Sequence, residues 1–472
     1  MTQAATKNTA RRGDMTVGVP WKALLTFSFP LFLGNIIQQM YNTVDTIVVG
    51  QYVGSNALAA VGTSFPLLML LMTLFMGISM GSGVMISQYY GAKDDEMLSK
   101  TFHTTLVLGI YVSVFITIVG YFITPHFLRW INVPTEDGVY DMAVQYLQIS
   151  FLGMFGSVLY NMFSGVLRGI GDSKNPLVFL SIACVMNIIL DIVFVAVFHW
   201  DVAGVAWATI ISQICSAIFA FIRLQTMRGP LKIHLNQLKT DPVLMKNMIK
   251  LGLPTAIQQA TFSFANMLVQ SLINGFGQII MAGCNITMRL DSFAMMPNMT
   301  LGTAMMTYTG QNVGAGKMDR VALGARSGFK MGVGISLVIT TVLAVFGRGL
   351  MHIFVSDSEA VINAGMRMVY IVAAGYVATA INQNFSGVMR GAGDTFVPMI
   401  TSIITTVGVR LPVAYLLKYL LRDTLHPEDC IYYSLLFAWI VGAVITYIFY
   451  RIGNWKKKAV VRTRAAQPPA EA

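Results

Sequence analysis

The chain has 472 residues, 55% of them hydrophobic and only 11% charged, with 32 Lys and Arg against 21 Asp and Glu for a formal net charge of +11. Soluble domains carry about twice that charged share, so the composition argues against a water-soluble enzyme or binding module and for a polytopic membrane protein. Four cysteines, three in apolar runs, and six scattered histidines give neither a disulfide framework nor a transition-metal site.

Apolar runs long enough to cross a bilayer fall at about 22–49, 57–88, 102–124, 140–168, 177–199, 202–226, 247–274, 279–312, 326–347, 362–388, 396–420 and 431–452. These twelve expected spans define an all-α membrane protein. Residues 1–20 are polar and precede a full-length span, so no cleavable signal peptide is expected, and Arg11-Arg12 reads as an ordinary basic terminus. Of the 32 basic residues, 25 fall in the termini and the connections after even-numbered spans, and five on the other side; Arg289 and Arg410 lie within spans. That asymmetry places both termini in the cytoplasm of a cell whose plasma (bacterial inner) membrane holds the protein. The net charge then reflects orientation, and no nucleic-acid partner is expected.

The two halves resemble each other. Phe163-Ser-Gly-Val-Leu-Arg-Gly-Ile-Gly-Asp172-Ser-Lys-Asn-Pro176 recurs as Phe385-Ser-Gly-Val-Met-Arg-Gly-Ala-Gly-Asp394-Thr-Phe-Val-Pro398, with nine of fourteen positions identical at an offset of 222. Pro30 and Asn42 correspond to Pro254 and Asn266. A constant offset marks an internal repeat. Six spans per copy keep the copies in the same orientation, and such parallel repeats commonly enclose a central cavity. The division is an N-lobe at 1–226, a basic linker at 227–246, a C-lobe at 247–452 and a basic tail at 453–472 that suits an interfacial anchor. In the repeated element the glycines can end a helix and Asp172 or Asp394 can cap the next. Gly77/Gly81 and similar pairs have the spacing of close helix packing.

Polar residues inside spans narrow the site. Span one carries Gln38, Asn42 and Asp45 at i, i+4 and i+7, on one helix face, with Pro30 as a candidate hinge. Span four carries Tyr146, Ser150, Gly153, Ser157 and Asn161; span five Asn187 and Asp191; span six Thr209 and Gln213; span seven Gln259, Ser263, Asn266 and Gln270. Lipid cannot satisfy such stripes, so they are expected to face one another or a cavity. Asp45 and Asp191 are acids within apolar helices, which marks them as functional candidates. Arg289 and Asp291, two apart on span eight, do not face each other well, and the methionines of that span suit varied ligands.

The doubled Phe-Ser-Gly-Val-x-Arg-Gly-x-Gly-Asp element, Tyr41-Asn42-x-x-Asp45, Gln311-Asn312-Val313-Gly314-Ala315 and Asn187-x-x-x-Asp191 together resemble the multidrug and toxic compound extrusion (MATE) transporters, most of all the branch named for DNA-damage-inducible protein F. The resemblance covers nearly the whole chain. It implies two pseudo-symmetric six-helix lobes around a central cavity and cation-coupled antiport of amphipathic, often cationic small molecules by a monomer. It also implies that Tyr146, Asn187, Asp191 and Thr209 form an N-lobe hydrogen-bond network, with Asp45 and Gln38 lining the cavity. The repeat counterparts of Asp45 and Asp191 are Val269 and Val413, so coupling is expected in the N-lobe alone.

The expected mechanism follows from burial. Two carboxyl groups in one apolar cavity titrate as a pair and can share a proton. A sodium ion held by Asp45, Asn187, Asp191 and Thr209 is the alternative coupling ion, since oxygen donors suit a hard cation. Loading the cluster is expected to bend span one at Pro30 and expel a substrate lodged among Gln38, Asn42, Asn161, Gln213, Gln259 and Asn266. No organic cofactor is expected. Two other readings are weaker. A lipid-linked precursor flippase should show an arginine-rich cavity, and an intramembrane enzyme needs a nucleophile–base pair or a metal cluster.

Overall fold

The computed structural model describes residues 13–135, 138–227, 229–233, 238, 240–355 and 358–461. Arg11, Arg12, Arg462, Arg464 and part of the linker lie outside them. The described residues form helices and connections. In chain order these are α1 (Pro20–Val48), α2 (Ser55–Ala92), α3 (Asp95–Trp130), α4 (Val139–Leu152), α5 (Met154–Gly169), α6 (Lys174–Asp191) and α7 (Asp201–Thr226). After the linker come α8 (Pro242–Asn274), α9 (Gln278–Gly314), α10 (Met318–His352), α11 (Glu359–Ala373), α12 (Tyr376–Gly391), α13 (Phe396–Ile403), α14 (Leu411–Leu420) and α15 (Asp429–Ile452). Helix α8 opens on Pro242 with the Asp241 side chain accepting from Val243 and Leu244 N–H. The linker therefore ends about five residues earlier than the sequence suggested, because an N-cap acid followed by proline starts a helix.

Two of the expected spans are broken. Helices α4 and α5 meet at 46°, and α11 and α12 at 49°. The breaks fall at Gly153 and Gly375, where a neighbouring side chain presses on the backbone. A Cβ at Gly153 would lie 2.0 Å from Ile210 Cγ1, and one at Gly375 2.5 Å from the Trp439 ring. Counting each bent pair as one span, ten elements of the described chain are apolar enough to cross a membrane. Helices α8 and α9, of 33 and 37 residues, are long enough but more polar. Together these make twelve helical spans among the described residues.

The lobes close on each other at the basic face, where residues 13–18 and 458–461 dock. The C-terminal half of α2 packs on the N-terminal half of α8 and the C-terminal half of α9, and the backbones touch. A Cβ at Gly81 would lie 2.4 Å from the Met248 carbonyl oxygen; at Gly91 it would lie 1.9 Å from that of Gln311, and at Gly314 1.9 Å from that of Gln88. This bears out the close-packing reading of the glycine pairs. Helix α1 straddles the lobes. Leu24 and Phe27 sit in a core with C-lobe residues, and Asn35 Nδ2 donates to Thr300 Oγ1 at 3.2 Å, whereas its other half packs on α6. Likewise Val269, Leu272 and Ile273 of α8 pack within the C-lobe. The cross-lobe contacts named above fall in the halves of these helices nearer the chain ends, whereas the far ends of α1 and α8 pack within their own lobes.

The repeated Arg-Gly-x-Gly-Asp elements turn the chain as expected. Gly171 and Gly393 have φ of 84° and 98°, the left-handed region that glycine enters without strain. Asp172 Oδ1 accepts from Asn175 N–H at 3.2 Å, and Asp394 Oδ1 from Val397 N–H at 3.3 Å. The chain ends dock beside these turns. Gly13 packs on Gly171, and Lys458 Nζ pairs with Asp394 Oδ2 at 3.1 Å. Trp455 is buried, its ring stacked on Tyr450, so the start of the tail is fixed on the C-lobe and is not a free interfacial anchor.

Candidate functional site

Span one ends in a widened π turn at Val49–Val53, four residues after Asp45. Span five ends in another at Ile192–Val197, directly after Asp191. Such turns are rare and concentrate at functional sites, because the extra residue re-aims neighbouring side chains. Here they flank the point where α1, α6 and α7 converge. Asn187 and Asp191 are both 0% exposed, and Asp45 is half-buried. Oriented to satisfy both acids, the Asn187 amide donates to Asp45 Oδ1 at 2.8 Å and to Asp191 Oδ2 at 3.2 Å. The two carboxyl groups are within hydrogen-bond reach of each other. Asp191 Oδ1 is buried without a partner.

Around this core the Thr209 hydroxyl, also buried without a partner of hydrogen-bond geometry, lies close to Asp45 and to the Tyr41 hydroxyl. Tyr146 packs on the wall formed by Val48, Val49, Val195, Val202 and Val205 and lies near both acids. The structure therefore assembles Asp45, Asn187, Asp191, Thr209 and Tyr146 from four spans. It adds Tyr41, which the sequence reading quoted in a motif but gave no role. Its spacing of four from Asp45 would have placed it on the same face.

The expected cavity residues divide. Asn42 of α1 and Gln259, Ser263 and Asn266 of α8 are exposed, and lipid cannot satisfy polar groups so exposed on a membrane helix. Gln38 and Gln213 are half-buried and, among the described residues, share no hydrogen bond with the acids. Asn161 is half-buried; its Nδ2 donates to Ser157 O at 2.8 Å, and its backbone carbonyl accepts from Ser79 Oγ at 2.9 Å, which ties α5 to α2. Pro30 lies buried in a helix that continues through it, with no break in α1. Asp291, 7% exposed, accepts from the Tyr376 hydroxyl within the C-lobe, and Arg289 is exposed.

No group of three or more His, Cys, Asp or Glu side chains placed to hold a metal ion occurs among the described residues. The donors at the acid cluster are two carboxylates, an amide and a hydroxyl, all able to offer oxygen. That set fits a proton or a monovalent hard cation better than a transition metal.

Comparison with known proteins identifies the family and the fold. The MatE family model matches the chain twice, at residues 30–193 and 254–416, so the internal repeat is the family's own unit. The chain is 30% identical over 449 residues to "Probable multidrug resistance protein YoeA" of Bacillus subtilis (strain 168), covering 94% of this chain and 96% of that protein. It is 26% identical to "Probable multidrug resistance protein NorM" of Thermotoga maritima, over 93% of this chain and 94% of that one. It is 24% identical to "Multidrug export protein MepA" of Staphylococcus haemolyticus, over 92% and 94% respectively. Among solved structures, an outward-facing multidrug resistance MATE family transporter of the MOP superfamily superposes with a TM-score of 0.88 at 24% identity, covering 95% of this chain and all of that one. A MATE structure in the bent conformation gives the same score at 23% identity, covering 96% and 100%. The chain thus belongs to the MatE family of multi-pass membrane transporters and is not an enzyme.

Proposed function

We propose that the protein is a cation-coupled multidrug efflux antiporter, driven by a proton or sodium ion loaded at Asp45 and Asp191, that exports amphipathic small molecules by alternating access. One observation carries the reading: two membrane-embedded carboxyl groups on separate spans are bridged by one amide that is itself fully buried. Such a pair is costly unless it has a task, since each carboxylate inside a bilayer costs at least ~2.5 kcal/mol on insertion scales. Carboxyl groups within hydrogen-bond reach of one another can share a proton between them. Stripping that proton or exchanging it for sodium changes the charge that α1, α6 and α7 enclose, and so changes how tightly they close.

The docked chain ends lie on the basic face, so the positive-inside rule puts that face in the cytoplasm and makes a cleft between the lobes outward-open. Export then follows from order of events. Substrate enters when the lobes part at the basic face; the lobes re-close there; loading of the acid cluster draws α1 inward about Pro30 and removes the space the substrate occupies. The names of the relatives, multidrug resistance and export proteins, support drugs as the substrate class.

The test is dye efflux in inside-out vesicles with pH and sodium gradients imposed separately. A gradient of one ion should drive transport in the parent protein. Asp45→Asn and Asp191→Asn, each present in the membrane at parental level, should abolish gradient-driven transport. Undiminished transport by both variants would refute the coupling role.

A further inference from the structure

Where the N-lobe buries two acids, the C-lobe buries a cation. In the repeat, Asp45 and Asp191 give way to Val269 and Val413, and Arg410 stands at the position of Ile188, one residue beyond that of Asn187. Arg410 is 5% exposed, in the middle of a span. Its Nη1 donates to Asn266 Oδ1 at 2.8 Å, its Nε is buried with no partner, and no carboxylate pairs with it among the described residues. Asn266 is exposed on the polar stripe of α8, the counterpart of Asn42 on α1. Arg410 therefore sits just behind the cleft wall.

Two other arginines differ from it in position. Arg168 and Arg390 lie in the last turns of α5 and α12, where helix carbonyls favour a positive charge; Arg390 too has a buried Nε without a partner and donates from Nη2 to Gln258 Oε1 at 2.8 Å. Arg410 lies mid-span, away from such a terminus. Its backbone ends the third π turn of the described chain, Ile404–Arg410, two residues before Pro412. Proline has no N–H to give to the preceding turn, and the widened turn that results re-aims the arginine. All three π turns of the described residues thus adjoin a membrane-embedded charge: Asp45, Asp191 and Arg410.

A guanidinium with unused donors in a membrane interior attracts whatever anion can reach it, and its planar fork matches a carboxylate or sulfonate. We propose that Arg410, presented by Asn266, is an anion-docking subsite in the C-lobe wall of the cleft, and that the transported molecules it favours carry a carboxylate or sulfonate. This rests on the cleft being the substrate chamber, and it makes zwitterionic or anionic amphiphiles substrates alongside cationic ones.

The experiment is equilibrium binding of carboxyfluorescein to the purified full-length protein by fluorescence anisotropy, at constant ionic strength. The parent protein should bind saturably, with displacement by an aromatic carboxylate. Arg410→Gln should weaken binding at least tenfold. Arg410→Lys, which keeps the charge but loses the fork, should weaken it several-fold and serves if the Gln variant does not fold. Monodispersity on size exclusion and the melting temperature check each variant. Absence of saturable binding by the parent, equal affinity in parent and variants, or displacement by chloride as effective as by the carboxylate would each overturn the proposal. Because binding needs no gradient, a failure of ion coupling in vesicles would leave this result standing, and the two failures are separable.

Discussion

Gln88 and Gln311 are repeat counterparts, and each reaches across the seam between lobes to the other lobe's glycine carbonyl. Gln88 Nε2 donates to Gly391 O at 2.9 Å, and Gln311 Nε2 to Gly169 O at 3.1 Å. Each amide oxygen also accepts from a chain end: Gln311 Oε1 from Met15 N–H and Gln88 Oε1 from Val460 N–H, both at 2.8 Å. This double crossing holds the basic face shut. A buried hydrogen bond is worth roughly 1 kcal/mol net, so replacing both residues by leucine removes about 2 kcal/mol or more from the closed state. In a background lacking the four native cysteines, a reporter cysteine at Ser87 should react faster with a maleimide applied from the basic face in Gln88→Leu/Gln311→Leu than in the parent. An unchanged rate would count against the crossing as a latch.

Gly91 makes a sharper test of the same seam. The Gln311 carbonyl occupies the space a methyl group would need, and neither backbone can retreat without parting the helices. Gly91→Ala should leave each lobe folded and shift the protein toward the form open at the basic face. Spin labels on α2 and α9 should report a longer mean separation. A distance distribution that matches the parent's would show that the seam yields without opening.

Asn187 is the only donor that serves both acids among the described hydrogen bonds. Asn187→Leu keeps approximate volume and removes that donor, leaving two buried carboxyl groups to each other. A buried polar group stripped of its partner costs about 1–3 kcal/mol. The variant should melt lower in detergent and lose gradient-driven efflux. If the parent couples to sodium, its melting temperature should rise with added sodium, and that rise should vanish in Asn187→Leu.

Pro30 interrupts the hydrogen-bond ladder of α1, leaving the Thr26 carbonyl without its i+4 donor. Pro30→Ala restores the donor, and the gain is bounded by the ~3 kcal/mol that a helix-interior proline costs. The expected outcome is a protein at least as heat-stable as the parent but with slower transport at unchanged dye affinity. Parental turnover would remove Pro30 from the mechanism.

The sequence revealed what local spacing can encode. The acid cluster was readable because Asn187 and Asp191 are four apart and because an acid in an apolar run announces itself. The repeat was readable because Phe163–Pro176 and Phe385–Pro398 share most of their residues. Features built from distant pairs were not. Arg410 meets Asn266 across 144 residues, and Tyr376 meets Asp291 across 85; no pattern in either segment names its partner. The breaks at Gly153 and Gly375 depend on Ile210 and Trp439 pressing from other helices, so a continuous apolar run concealed them.

The docked termini have a practical corollary. Residues 13–18 run from the N-lobe turn at Gly171 to the far lobe's Asn312, Lys317 and Arg320, while 458–461 run from the C-lobe turn at Asp394 to Gln88. Swinging the lobes apart must unthread both stretches at once. A protease confined to that compartment should then clip them at a pace that follows the transport cycle, making the chain's own ends a built-in clock for turnover.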